Sequence, residues 1–310
     1  VIFMKRVLVT GYNALDLDGA SCSFAYAEFL KNQDVDAVVG IFEGLKKEAE
    51  YVFERFDITR LKDANKFVDG SDIILVDASD LKISDKIDPQ QVIEIIDHRE
   101  LNQADVFSKA KIQIEPVGAA ATLVAEKLFN GKFEMSEKSA ILLYSGIVSN
   151  TINFKSNTTT ARDKKMAEWL LSKTKLPETY VHELFTAKSK FDKCLKDVFM
   201  DYYSSPDFGK PKYGIIQLEI IEAEKFVYKN IKQIEEILAQ IKREQKRDTV
   251  FLTCIDIEKG LNYFVAFDNR EKKSIESTLK VKFGDSIAKR NGIIMRKEIN
   301  PLLKQYLEKK

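Results

Sequence analysis

Apolar positions in the first half of the chain fall into short continuous runs separated by stretches of helical spacing. Val7-Leu8-Val9, Asp36 to Phe42, Ile73-Ile74-Leu75-Val76 and Val92-Ile93-Glu94-Ile95-Ile96 are short and rich in β-branched residues, which predicts buried strands. A shorter segment, Ile112 to Ile114, follows them. Ala20 to Leu30 sets Phe24, Ala27 and Leu30 on one helical face, and Glu43 to Phe56 does the same with Leu45, Ala49, Val52 and Phe53. Gly118 to Leu128 reads as a helix whose first turn holds only small residues. Glu137 to Val148 is a mostly apolar helix, and another begins near Ala161 with Trp169 and Leu170 on its apolar side. Strands alternating with helices predict an α/β fold built on a doubly wound parallel sheet.

From Glu178 to about Lys196 the spacing stays helical and becomes more charged, which predicts a connector. A Ser-Ser-Pro turn at Ser204 to Pro206 opens the second half. A strand over Tyr213 to Ile220 comes next. One long amphipathic helix is predicted over Ala223 to Arg243, carrying Phe226, Ile231, Ile234, Ile237, Leu238 and Ile241. Strands at Thr249 to Ile255 and Asn262 to Phe267 precede a helix near Lys273 to Leu279. These elements predict a second, smaller α/β domain across a cleft, with the two domains spanning 1–190 and 196–310.

Three of the first-half strands run into acidic residues. The first leads into Gly11-Tyr12-Asn13-Ala14-Leu15-Asp16-Leu17-Asp18-Gly19, the third into Asp77, the fourth into Asp97-His98-Arg99. Asp16, Asp18, Asp77, Asp97 and His98 are thereby delivered to one rim, the carboxyl edge where open α/β sheets bind ligands. A lone Asp at a strand end is usually a helix cap. Several carboxylates at one rim repel one another unless a cation sits among them, and oxygen ligands with one imidazole suit manganese or magnesium. The small first turn after Gly118 has two readings: close packing of helix on sheet, or a helix N-terminus approaching an anion.

Composition adds boundaries rather than direction. At 310 residues, 45% hydrophobic and 31% charged, the chain has room for two domains with ordinary cores. A net charge of +1 gives no global signature of a nucleic-acid or membrane partner. Cys22, Cys194 and Cys254 lie far apart in apolar settings and read as core residues, not a disulfide framework or zinc knuckle. No apolar run reaches membrane-spanning length and no signal-peptide pattern opens the sequence, so a cytoplasmic protein is expected.

Together these motifs resemble the DHH phosphoesterase superfamily, in the branch of family II inorganic pyrophosphatases, exopolyphosphatases and prune proteins. The motifs are Asp16-Leu17-Asp18, Val76-Asp77, Asp97-His98-Arg99, Glu115 to Thr122 and Asn150 to Thr160. Met295-Arg296-Lys297-Glu298 with Pro301 is similar to a segment of the type 2 DHH-associated domain. The resemblance implies a manganese (or magnesium) centre of two ions, the second weaker, with Asp16, Asp18, Asp77, His98 and Asn150 as ligands and Asp77 bridging. It implies hydrolysis of phosphoanhydride bonds in pyrophosphate, short polyphosphate or nucleotide polyphosphate, water between the metals attacking phosphorus. Asp77, His98 and Arg99 would carry the chemistry, and Arg99, Lys155, Arg296 and Lys297 would hold the phosphates.

This chain departs from the resemblance at several positions. Tyr12 stands where pyrophosphatases have a metal-ligating His, Asn150 where they have Asp, and Arg99 where they have the second His of the motif. A lysine expected early in the second domain has no clear counterpart, and Phe199 aligns there. The departures keep open a second reading, a catalytically weakened homologue that binds phosphorylated ligands as a sensor or partner protein. The expected partner is a small phosphorylated substrate, with no membrane and no nucleic acid. Family members include dimers and monomers, so a homodimer is one open alternative.

Overall fold

The computed structural model describes residues 5–80, 86–99 and 102–309. The chain forms two units, 1–187 and 188–310. In the first, chain order runs β1 (Val7–Thr10), β2 (Ala14–Leu15), α1 (Leu17–Lys31), β3 (Ala37–Ile41), β4 (Gly44–Leu45), α2 (Lys47–Arg55), β5 (Lys62–Asp63), β6 (Asp72–Val76), β7 (Val92–Asp97) and β8 (Lys111–Ile114). Helices α3 (Ala120–Asn130), α4 (Glu137–Asn150), α5 (Ala161–Leu171) and α6 (Tyr180–Lys188) follow. Among the described residues, six strands pair in the order β5-β3-β1-β6-β7-β8, every pairing parallel.

The apolar runs become the central strands because a parallel sheet covered on both faces excludes water from every side chain. All four residues of β1 are buried, as are Ile73 to Val76 of β6. The chain leaves β1 toward β3 on one side and later returns to place β6 on the other. That reversal of strand order opens a crevice at the carboxyl ends of β1 and β6. Helix α4 lies across α1 beside this crevice. A Cβ on Gly146 would come within 2.5 Å of Ser21 Oγ and 3.4 Å of Asp18 Cα, so the close approach requires glycine.

The second unit contains α7 (Leu195–Asp201), β9 (Tyr203–Ser204), β10 (Tyr213–Ile220), α8 (Ala223–Lys229), α9 (Ile231–Glu244), β11 (Thr249–Asp256), β12 (Leu261–Val265), α10 (Asn269–Leu279), β13 (Ile287–Asn291) and α11 (Arg296–Glu308). Its sheet runs β13-β12-β11-β10-β9, with β10 and β11 parallel and the other pairs antiparallel. Successive residues of β10 face opposite ways. Ile216 and Leu218 pack with Ile234, Leu238 and Ile241 of α9, while Ile215 packs with Ile275 of α10 and Ile299 and Leu303 of α11.

Four expectations need correction here. Leu45, expected on a helical face, lies in β4 paired with Leu15, and α2 starts only at Lys47. The single helix over Ala223 to Arg243 is two helices. Asn230 sits between them with φ −107° and ψ 12°, and its Nδ2 donates to the Phe226 carbonyl at 2.7 Å, a local bond that competes with helix continuation. The charged connector is helical only through Lys188, and α7 starts at Leu195. Between them Ser189 Oγ accepts the Ile221 amide at 2.9 Å, tying the segment to the end of β10. Cys194 is exposed, whereas Cys22 and Cys254 are buried.

Candidate metal centre

The loop from β1 into α1 carries two carboxylates with different duties. Asp16 is the N-cap of α1, its Oδ1 accepting the Gly19 amide at 3.1 Å. Asp18 is buried in the first turn of the same helix. Its Oδ1 accepts from the Ala121 amide at 2.7 Å and its Oδ2 from the Ala120 amide at 2.9 Å, both in the first turn of α3. The anion met by that small-residue helix start is therefore a side chain of the same molecule. Burial, and then the neighbouring Asp16, push the Asp18 carboxyl up to about 7, against the pull of those two amides.

Asp77 follows β6 with φ 53°, a left-handed backbone that costs a non-glycine residue of order 1–3 kcal/mol. Its amide continues the ladder to Ile96 O at 2.8 Å, and the turn then aims the buried carboxylate into the crevice. Asp77 Oδ1 is buried and makes no hydrogen bond among the described residues. His98 Nε2 lies 3.5 Å from it and Arg99 Nη2 3.2 Å. Burial holds this carboxyl well above the carboxylate range even with Arg99 beside it, and Asp18 and Asp16 add to the rise.

His98 and Arg99 leave the end of β7. Asp97, fully buried, holds both: its Oδ1 accepts the His98 amide at 2.7 Å and Arg99 Nη1 at 3.1 Å, while Ser79 Oγ donates to Oδ2. His98 Nδ1 lies 2.9 Å from the Val117 carbonyl oxygen. A carbonyl only accepts, so Nδ1 carries the proton and the Nε2 lone pair is directed at Asp18 and Asp77. Oxygen and nitrogen atoms of Asp18, Asp77 and His98 all lie within 4.8 Å of one another. A divalent cation fits this set. Two carboxylates and an imidazole offer hard and borderline donors, one buried oxygen lacks a hydrogen-bond partner, and both carboxyls resist ionisation until a positive charge arrives.

Other predicted residues have different placements. Asn150, the last residue of α4, donates from Nδ2 to Asp18 Oδ2 at 2.8 Å and to Gly118 O at 3.2 Å, with His98 Nε2 at 3.4 Å. Asp16 lies outside the three-residue cluster but lines a cavity of about 230 Å³ with Tyr12, Lys46, Asp77 and Arg99. Lys155 is exposed in the turn after α4. In the second unit, Arg296 starts α11, half-buried, with Nη1 donating to the Tyr202 carbonyl at 2.7 Å, and Lys297 is exposed beside it. Burial lowers the Arg296 guanidinium pKa.

Two contributors escaped the sequence reading. Lys46, immediately before α2, is the exposed cation of the cavity lining, and nothing in its surroundings marks it beyond its charge. Asp163 is fully buried, and its carboxylate accepts the Gly118 amide at 3.0 Å and the Thr160 amide at 2.6 Å. It thereby fixes the turn whose carbonyl holds His98 and whose helix holds Asp18. Its only signal is the Thr160-to-Asp163 capping-box spacing, which predicts a helix start and no more.

Residues 6–147 match the DHH family, N-terminal domain. Over its length the chain is similar to the DHH phosphoesterases, in the branch of the family II inorganic pyrophosphatases. It is 29% identical over 315 residues to the manganese-dependent inorganic pyrophosphatase of Methanothrix thermoacetophila, covering 98% of this chain and 99% of that one. It is 27% identical over 312 residues to a probable manganese-dependent inorganic pyrophosphatase of Clostridium acetobutylicum, with 98% and 99% covered. A solved Methanococcus jannaschii structure assigned to the family II inorganic pyrophosphatases superposes with a TM-score of 0.76 at 27% identity, covering 97% of this chain and 98% of that one.

Proposed function

We propose that this protein is a manganese-dependent hydrolase of phosphoanhydride bonds, with pyrophosphate as the substrate its relatives' names point to. The observation that carries the reading is the buried cluster of Asp18, Asp77 and His98 at the strand-order reversal, its ligand atoms within 4.8 Å of one another. A divalent ion bound there supplies positive charge for a phosphoryl group in displacement and makes nearby water more acidic. The protein's part is positioning. Asp97 and Val117 hold the imidazole, Ala120 and Ala121 hold the Asp18 carboxylate, and the strained turn at Asp77 aims the third ligand. Arg99 and Lys46 border the cavity as cations suited to phosphate oxygens.

Lys155, Arg296 and Lys297 are proposed to bind further phosphate oxygens, and the second unit to act as a DHH-associated type 2 domain. Tripolyphosphate and nucleotide polyphosphates extend the substrate class. A second reading, a binding protein with little turnover, is favoured by one observation: Asn150 brings an amide and no charge to Asp18. A panel of pyrophosphate, tripolyphosphate and nucleoside triphosphate, assayed for phosphate release with Mn²⁺ and with Mg²⁺, separates the two. Release from at least one supports the hydrolase, and calorimetric binding of the same compounds without any release supports the binding protein.

A further inference from the structure

One positively charged side chain in the centre is held more firmly than substrate binding alone requires. Arg99 Nη1 donates to the backbone oxygen of Asp77 at 2.5 Å and to Asp97 Oδ1 at 3.1 Å, and Nη2 lies 3.2 Å from Asp77 Oδ1. The guanidinium carbon sits 4.8 Å from the centroid of the Tyr12 ring, within cation–π range. Tyr12 in turn donates its hydroxyl to Asp80 Oδ2 at 3.0 Å. The guanidinium is thus fixed by two carboxylates, one carbonyl and one aromatic face, directly against the Asp77 oxygen that a metal pair would share.

The groups that could hold a second ion on this side are already committed. The Tyr12 phenol is neutral and turned to Asp80, and burial pushes its pKa up further. Asp97 accepts from Ser79, from the His98 amide and from Arg99. Asp16 caps α1. Asp18 and His98, by contrast, complete with Asp77 a set of donors within 4.8 Å of one another. An arginine stays protonated at any working pH, so it cannot step aside by losing charge. Two cations held that close beside the buried Asp77 repel one another.

We infer that Arg99 is a built-in cation occupying the place of a second metal ion, and that the centre takes a single divalent ion at Asp18, Asp77 and His98. Tyr12 is the aromatic face against which the guanidinium is held. This inference rests on the proposed metal-dependent hydrolase and narrows it. One ion and one arginine, rather than two ions, face the phosphate.

The test is the Mn²⁺ stoichiometry of the full chain, measured by calorimetric titration together with electron paramagnetic resonance. The expected result is one ion per chain with the resolved hyperfine pattern of isolated Mn²⁺. Arg99→Lys, which keeps a charge, stays at one. Arg99→Ala combined with Tyr12→His, which removes the cation and supplies an imidazole, rises to two with an exchange-broadened spectrum from ions roughly 4 Å apart. Circular dichroism checks that each variant is folded. Two coupled ions in the wild-type chain overturn the inference and leave the hydrolase reading standing. A folded double variant that still binds one ion also overturns it. No Mn²⁺ binding at all defeats both.

Discussion

His98 Nδ1 and the Val117 carbonyl oxygen are 2.9 Å apart, and this contact decides which imidazole nitrogen faces the acidic cluster. The proton belongs on Nδ1 and the lone pair on Nε2. Because the chain has only two histidines, His98 and His182, nitrogen-15 spectra can be assigned with one His182→Gln variant. With Mg²⁺ bound, the Nε2 resonance should shift while Nδ1 keeps its proton. An Nε2–H tautomer would remove the imidazole from the ligand set.

Asn150 is where this centre can be strengthened. Its amide Nδ2 bonds Asp18 Oδ2 and the Gly118 carbonyl. Asn150→Asp replaces a donor by a second negative charge facing two acceptors. The metal-free variant should unfold more easily, by about 1–3 kcal/mol, because two buried acceptors lose their donor. With Mn²⁺ the same carboxylate becomes an ally, and affinity should rise by about tenfold. Titration calorimetry and paired melting curves check both signs; weaker Mn²⁺ binding would place residue 150 outside the ion's reach.

The α1–α4 crossing supports the site mechanically. In Gly146→Ala the new methyl meets Ser21 Oγ at 2.5 Å and Ala121 Cβ at 3.3 Å. Relief takes either a new Ser21 rotamer, which gives up its bond to the Asp18 carbonyl, or a lift of α4 from α1 beside Asp18. The expected cost is about 1–3 kcal/mol in denaturant unfolding, with a larger fractional loss of Mn²⁺ affinity than a surface substitution such as Lys138→Ala causes. An unchanged unfolding midpoint would mean the crossing is looser than described.

Removal of metal should reveal the strain of the buried acids. Asp18 has a folded-state pKa of about 7 against an ordinary 3.8. Between those values the native carboxyl is protonated and the unfolded one ionised, so unfolding releases a proton. Stability of the metal-free protein therefore falls as pH rises through that window, by roughly 1 kcal/mol per pH unit, and levels off above it. Asp77 works in the same direction. Melting curves in EDTA should show a lower Tm at pH 8 than at pH 5, and saturating Mn²⁺ should reverse the order. A Tm in EDTA that climbs from pH 5 to pH 8 contradicts this.

The parallel sheet was legible because its strands are unbroken β-branched runs, a pattern that burial on both faces demands. The acids were legible for a related reason: Asp77 and Asp97 directly follow their runs, and Asp16 and Asp18 lie in the loop and helix start after the first, so locating the strands located the rim. What could not be read was the hydrogen bonding across long sequence separations. Nothing near Asp163 announces that it binds Gly118, 45 residues away, or that Asp18 is held by Ala120 and Ala121. Nor does spacing reveal that Tyr12 lies under Arg99. The break at Asn230 was hidden by an apolar period that runs through it, because a side-chain bond to Phe226 O leaves that period intact.

Phosphate release from pyrophosphate, followed after chelation and then after Mn²⁺ is restored, reaches the central claim most directly. The account predicts no release in EDTA, recovery with Mn²⁺, and a drop of about a thousandfold in kcat for Asp77→Asn, the several kcal/mol that a lost ligand takes from charge stabilisation. Release that persists in EDTA, or an Asp77→Asn protein as active as the wild type, would contradict it.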